Sequence, residues 1–456
     1  MKRISKKALA FALSTLIALG GMGMMSGCGS DGGDISVLLL VNNQEDAFYK
    51  EYFAELEEEM NIKIDYRGES FSDYDTALTT SMQDTPPDIF YVRPGNLKMY
   101  VADGLLADMS DYLESDEFTS QVDVSRLYPH VIDIYRYDGK TVSVSDPDAP
   151  IYGINQGLSY QGLGYNKTLI ERKESQIRAA GLCMPWELGE GENAETYTFE
   201  EFSLLLSLVK DTTGGGLNGN LPIAGMNIPT EIMPLVWSYG GEIVSGDSVT
   251  VTTEPFQKVL TWLRENYEAG NLSRSATWGE WSTNEVAFYT EIGSWEVSGY
   301  IESGMDFDVM PWPTADGGDG WYGQIGTAAY GVFADSPNLD LAMEIVAGFL
   351  REDVQDKMVR KGLALPIYKE TAEGGYLTDD ETYKPEHRSV FIEVISGRHG
   401  KYSPVNNTFD SEWYDAFTDD ILTFVTESSQ TAAEWLGAKQ TEMQTLFDRQ
   451  LNRSKA

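Results

Sequence analysis

Hydrophobic and polar positions along the chain follow two periods. Ile35-Ser36-Val37-Leu38-Leu39-Leu40-Val41 is a near-continuous apolar run, the pattern of a strand buried on both faces of a parallel sheet. From Asp46 to Met60, the residues Phe48, Tyr52, Phe53, Leu56 and Met60 return at helical spacing, with Glu51, Glu55, Glu57, Glu58 and Glu59 largely outside that face. A short strand over Ile62–Tyr66 and a helix over Tyr74–Gln83 follow. Pro86-Pro87 stops the helix, and Asp88-Ile89-Phe90-Tyr91-Val92 reads as a third strand. This strand–helix alternation predicts a parallel sheet wrapped on both faces by helices.

The same mixture continues through the middle. Thr198-Phe199-Glu200-Glu201 fits a capping box and opens a helix through Val209, with Phe202, Leu205, Leu206 and Val209 on its apolar face. A glycine-rich break runs from Asp211 to Asn220. Pro255 starts a helix with Phe256, Val259, Leu260, Leu263 and Tyr267 inward, ended by Gly270. Ser336-Pro337 predicts the cap and first turn of another, carrying Ala342, Ile345, Val346 and Phe349. Thr431 and Glu434 repeat the capping-box pattern before a helical tail.

The first residues belong to targeting and not to the fold. Lys2, Arg3, Lys6 and Lys7 precede a glycine-broken apolar run from Ala8 to about Met25, and Met25-Ser26-Gly27-Cys28 follows. Small residues leading directly into a cysteine resemble a bacterial lipobox. This implies a signal peptide over 1–27, lipidation of Cys28 and a tether over 28–33. Loss of those four cations moves the formal net charge from −39 to about −43, a field that repels nucleic acid. With Cys28 lipidated, Cys183 has no partner for a disulfide within the chain. The 456 residues exceed what one core comfortably serves.

Several segments, read in order, resemble the family of bacterial ABC-transporter extracellular solute-binding proteins that includes maltose-binding protein. They are Pro86-Pro87-Asp88-Ile89-Phe90, Asp103 to Met109, Tyr152-Gly153-Ile154-Asn155 with Leu163 to Lys167, Thr198 to Val209, and Tyr239-Gly240-Gly241-Glu242-Ile243. Ala287 to Trp295, Phe307 to Pro313, Ala342 to Phe349 and Gly362 to Pro366 complete the series. The resemblance implies an α/β, two-lobe, periplasmic-binding-protein-like (type II) fold, each lobe a mostly parallel sheet flanked by helices, with a cleft between. Lobe one is expected at 34–160 and 293–350, lobe two at 161–292 and 351–456. The implied role is the substrate-binding component of an ABC importer, closing on a carbohydrate and handing it to permease transmembrane subunits. The protein is expected to be a monomer, held at the outer face of the cell membrane by its lipid alone.

Ligands of open parallel sheets bind beyond the carboxyl ends of the strands. In lobe one that nominates Asn42, Gln44 and Asp46 after the first strand and Tyr91 and Arg93 after the third; the Asn42-Asn43-Gln44 stretch equally suits a helix cap. Amides, carboxylates and guanidinium engage neighbouring hydroxyls, and aromatic rings cover the C–H faces of a sugar. Trp295 falls where the family places a stacking tryptophan. Trp278 and Trp281 occupy a polar loop, Trp413 begins a helix, Asn227 and Thr230 fall near the family's polar contacts, and Tyr160 and Gln161 line the proposed first crossing. Cofactors are not implied. His130, His387 and His399 form no metal-spaced pair, and there is no H-E-x-x-H, G-x-S-x-G or P-loop. An enzyme is therefore not expected. The alternatives are a glycan-binding adhesin or sensor ectodomain, and a two-carboxylate glycosidase.

Overall fold

A computed structural model describes residues 34–453 apart from 140–146, 156, 192, 212–222, 275–276, 319 and 327. The signal peptide, the tether and Cys28 lie outside the described residues, as does most of the glycine-rich break. In chain order the molecule is built from β1 (Ile35–Leu40), α1 (Asn43–Met60), β2 (Ile64–Glu69), α2 (Tyr74–Asp84), β3 (Ile89–Val92), β4 (Tyr160–Asn166), α3 (Phe199–Val209) and β5 (Ala224–Asn227). The small hairpin β6 (Val244–Ser245) and β7 (Ser248–Val249) follows, then α4 (Glu254–Glu268), β8 (Leu272–Ser273), α5 (Trp278–Ser282), β9 (Val286–Gly293) and α6 (Val297–Glu302). The chain continues through β10 (Phe307–Met310), β11 (Gly323–Ile325), β12 (Ala329–Val332), α7 (Leu339–Gly348), α8 (Glu352–Arg360), α9 (Ser389–Ile395), β13 (Gly400–Tyr402), α10 (Glu412–Glu427) and α11 (Ala432–Arg453).

The opening apolar run lies inside the first sheet, ordered β12-β3-β1-β2. There β1 pairs in parallel with β2 and β3, and β12 closes the far edge antiparallel to β3. Ile35, Val37 and Leu39 are buried under Phe48, Tyr49, Phe53 and Leu56 of α1, and Leu38, on the other face, packs with Tyr74 and Leu78 of α2. Asp88 ties this sheet together. Its carboxylate accepts from Ser36 N (2.8 Å) and Oγ (2.7 Å) and from Ser336 Oγ (2.6 Å), so a buried charge is fully engaged. Ser336 Oγ also accepts from Asn338 N at 3.0 Å, so the same hydroxyl caps the turn that leads into α7 at Leu339. The capping boxes at Thr198–Glu201 and Thr431–Glu434 form as expected.

The second sheet runs β13-β11-β4-β9-β5-β8, with β10 also paired to β4. It is mixed. β5, β8 and β9 run parallel, while β4 lies antiparallel to β9, β10 and β11. The physical reason is entry direction: β4 leaves an interlobe crossing heading outward, whereas β5, β8 and β9 run back toward it. Residues 294–310 and 323–325, expected in lobe one, belong with this second sheet: β10 and β11 hydrogen-bond to β4, and α6, between β9 and β10, sets Tyr300 against Trp281 and Phe307. Conversely α8, expected in lobe two, packs beside the first sheet, with Val354 and Met358 sharing a core with Ile35, Leu39 and Phe53. In the second lobe, α10 and α11 bury Phe417 and Leu436 against Phe202 and Leu260 of α3 and α4.

At the outer end of β10 lies a polar knot. Asp308 has no exposed surface. It accepts from Tyr165 OH (3.2 Å), Val309 N (2.9 Å) and His387 N (2.9 Å), and its Oδ2 stands 2.6 Å from His387 Nδ1. Neighbouring Arg388, also buried, donates to the carbonyls of Tyr376 (2.5 Å) and Pro385 (3.2 Å) and to Asp380 Oδ1 (2.7 Å). Together they pin the segment before α9 to the second sheet.

Candidate ligand-binding cleft

The carboxyl ends of β1 and β3 in one lobe and of β5 and β9 in the other converge on the interlobe junction. Asn42 does two jobs there. Its Oδ1 accepts from Glu45 N at 2.8 Å, capping α1, and its Nδ2 donates to Trp295 O across the junction at 3.4 Å. Gln44 likewise reaches across, from Nε2 to Glu302 Oε2 at 3.3 Å. Asp46 instead stays within its own lobe, held by Lys50 and by Tyr66 OH. Tyr91 is half-buried, with its ring edge-on to Tyr74 and Tyr330. Arg93 donates to Asp75 Oδ1 and to the Phe71 carbonyl, both at 2.8 Å, and lines a small cavity shared with Asn406 and Thr408 of the second lobe.

From the second lobe, Trp295 is half-buried directly after β9. Its indole lies over Gly293, where an added Cβ would meet the ring at 2.4 Å, so a side chain at 293 would displace it. Trp278 is 47% exposed and its ring stacks on Tyr300 at 6.4 Å. Gln161 is half-buried in β4, opposite Gly293 and Gln324. Thr230 is exposed just past β5.

Four nominated residues are core residues and do not reach a solute here. Tyr160 is fully buried against Phe391. Trp281, fully buried, stacks on Tyr289 at 5.6 Å. Trp413, fully buried, donates from Nε1 to Thr408 Oγ1 at 2.9 Å and packs edge-on to Phe447. Asn227 uses its amide to join β5 to β9, donating to Thr290 Oγ1 (2.7 Å) and accepting from Thr290 N (2.8 Å). In each case apolar packing or a strand-to-strand bond takes the side chain out of the cleft.

Four carboxyl groups that the sequence did not nominate lie close in the chain to the nominated positions. Glu45 closes the capping box by accepting from Asn42 N at 2.8 Å. Burial pushes its carboxyl up to about 7 against that hydrogen bond, and the charge of Glu296 adds to the rise. Glu296 accepts from Tyr300 OH (2.7 Å), and burial raises it as well. Glu291, beside Tyr289 OH at 3.3 Å, and Glu231, which receives Tyr414 OH at 2.6 and 2.8 Å, are both raised by burial. Glu291 and Glu296 flank Trp295 in sequence, and Glu231 follows Thr230. Proximity to nominated positions was the only available signal for them. A carboxyl pushed up to about 7, as Glu45 is, can donate as well as accept, a versatile partner for hydroxyl groups.

The Glu45 shift has a testable sign. The folded state holds that proton more tightly than the unfolded chain, so stability falls as pH rises from the ordinary 4.5 to about 7 and levels off above. Glu45→Gln keeps the acceptor for Asn42 N and removes the charge. Thermal melts across that range should flatten in the variant and show it equal to or more stable than wild type at pH 8. An unchanged slope would place the titration elsewhere.

Among the described residues, Asp308, Glu386 and His387 bring candidate metal-ligand atoms within 4.8 Å of one another. The group sits at the outer end of β10. Its acceptors are engaged within the protein, and Lys167 is ion-paired to Glu386 at 2.9 Å, so the chemistry there is that of a structural tie.

Two α/β lobes meeting at the carboxyl ends of their strands, with ring and carboxyl groups from both, define the two-lobe solute-binding class. A sequence model for bacterial extracellular solute-binding proteins matches residues 51–385, and the chain belongs to that family. Solved structures share the fold. An ABC substrate-binding protein, Lmo0181 from Listeria monocytogenes in complex with cycloalternan, superposes with a TM-score of 0.73 at 18% identity, covering 91% of this chain and 98% of that one. The GacH receptor of Streptomyces glaucescens gives 0.66 at 18%, over 91% and 98%. The maltose/maltodextrin-binding domain MalE from Bdellovibrio bacteriovorus, bound to maltotriose, gives 0.66 at 15%, over 92% and 99%. No curated protein sequence matches the chain. Among the described residues, no helix is long and apolar enough to cross a membrane.

Proposed function

We propose that this protein is the substrate-binding component of an ABC importer, that its cleft takes an oligosaccharide, and that the closed form delivers it to a membrane permease. The observation that carries this reading is the pairing of Asn42 and Gln44 in one lobe with the Trp295–Glu302 segment of the other. A solute lodged between these elements contacts both lobes at once, and such contacts exist only when the lobes are closed, which is what drives closure. The hinge we assign lies where the chain passes between the sheets, that is between β3 and β4, between β11 and β12, and between α8 and α9. Lipidation at Cys28 would hold the protein at the outer face of the cell membrane. The chemistry favours neutral polyols: half-buried rings beside amides and carboxyls suit hydroxyl-rich molecules, and the acidic chain repels polyanions. Isothermal titration with maltotriose, mannotriose, cycloalternan and a peptide control tests it. Saturable binding of at least one sugar is expected; binding of the peptide alone would overturn the sugar assignment.

A further inference from the structure

The loop that follows β2 carries an aromatic ring that the packing does not need. Phe71 is 74% exposed, the most exposed of the large hydrophobic side chains described. An isolated bare phenyl would be unremarkable. This one is held in place. The Arg93 guanidinium lies 4.3 Å from its ring centroid, covering one face, and Arg93 Nη2 grips the Phe71 carbonyl at 2.8 Å. Arg93 is itself anchored on Asp75. Because Phe71 follows β2 and Arg93 follows β3, with β1 between those strands, the contact carries the loop across the carboxyl end of the first sheet. One face of the ring is therefore backed by a cation and the other is left free at the ligand-binding end of the lobe.

The surroundings of the ring are polar. Ser70 Oγ lies 3.0 Å from Ser72 Oγ and donates to Asp73 Oδ2 at 2.6 Å, so hydroxyl and carboxylate groups border the ring in the same loop. A flat apolar face with hydroxyl-bonding groups at its rim matches a pyranose, whose C–H face is apolar and whose edge is polar. The second lobe shows the same device. Trp278 is exposed on one face and backed on the other by Tyr300.

We infer that Phe71 is a stacking platform for a sugar ring in the first lobe, separate from Trp295, so that the cleft recognises a chain of more than one ring. The inference rests on the sugar-binding reading above. Arg93 acts as a positioning residue: it orients the ring and does not itself need to touch the ligand.

The test compares wild type, Phe71→Ala and Phe71→Trp by isothermal titration with maltotriose, mannotriose and cycloalternan. For whichever sugar wild type binds, Phe71→Ala should weaken affinity roughly 5- to 10-fold, and Phe71→Trp should restore it to within about twofold. The ring is exposed, so melting temperature should not move, which separates a lost contact from a damaged fold. Wild-type affinity in Phe71→Ala for every sugar bound would overturn the inference and leave the cleft assignment standing. A wild-type protein that binds none of the sugars would overturn both.

Discussion

Replacing Asp308 with alanine is expected to lower folding stability by about 3–5 kcal/mol. The residue is fully buried, and its removal leaves Tyr165 OH, the backbone N–H of His387 and the His387 ring without their acceptor. Urea denaturation would show the loss as a lower midpoint. The same pair predicts a pH signature. The hydrogen bond to Asp308 raises the His387 pKa above its ordinary 6.5 against the opposing pull of burial. A raised histidine contributes its full stabilisation below 6.5 and loses it as pH climbs through the raised value. Wild type should lose stability over that interval, and Asp308→Asn should lose less. A cost below about 1 kcal/mol for the alanine variant would show that the segment before α9 is secured by Arg388 alone.

Trp295→Ala should cost about 2–3 kcal/mol of binding free energy, roughly a 30- to 150-fold weaker Kd for the preferred sugar. Trp295 is the half-buried indole directly after β9, and its backbone carbonyl accepts from Asn42 Nδ2 across the junction. Truncation removes the stacking face and also frees the space over Gly293 into which neighbouring side chains can slump. Isothermal titration measures the effect. Trp413→Ala is the contrasting control: any fall in its affinity should come with a fall in melting temperature, because Trp413 is core. Unchanged affinity in Trp295→Ala would remove this indole from the site.

The sheets and helices were largely legible, because the first hundred described residues alternate apolar runs of strand length with faces of helical period. What the pattern could not show was partnership at long range. Ser336 precedes Pro337 and reads as a cap, which it is, but nothing local shows that its hydroxyl also donates to Asp88, far away in sequence. Strands β10 and β11 read as following a lobe switch, while their hydrogen bonds return them to β4. Within the cleft, residue type alone could not separate Trp278 from Trp281, which sit three positions apart on one short helix. The stack on Tyr289 buries the second. For Trp413 the information was present: with Phe417, Ile421 and Phe424 it continues the apolar stripe of α10. The shifted carboxyls at Glu45 and Glu296 arise from desolvation by a packed junction, a quantity no local window contains.

The uneven burial of the indoles gives the protein an optical handle. Seven of its ten tryptophans, at positions 237, 262, 281, 312, 321, 413 and 435, are shut inside, leaving 186 and 295 half-covered and 278 open. Their emission forms a blue background indifferent to added quenchers. The red edge of the spectrum belongs to the remaining three, two of which border the cleft, so loading of the protein can be followed in real time by light alone, without a label.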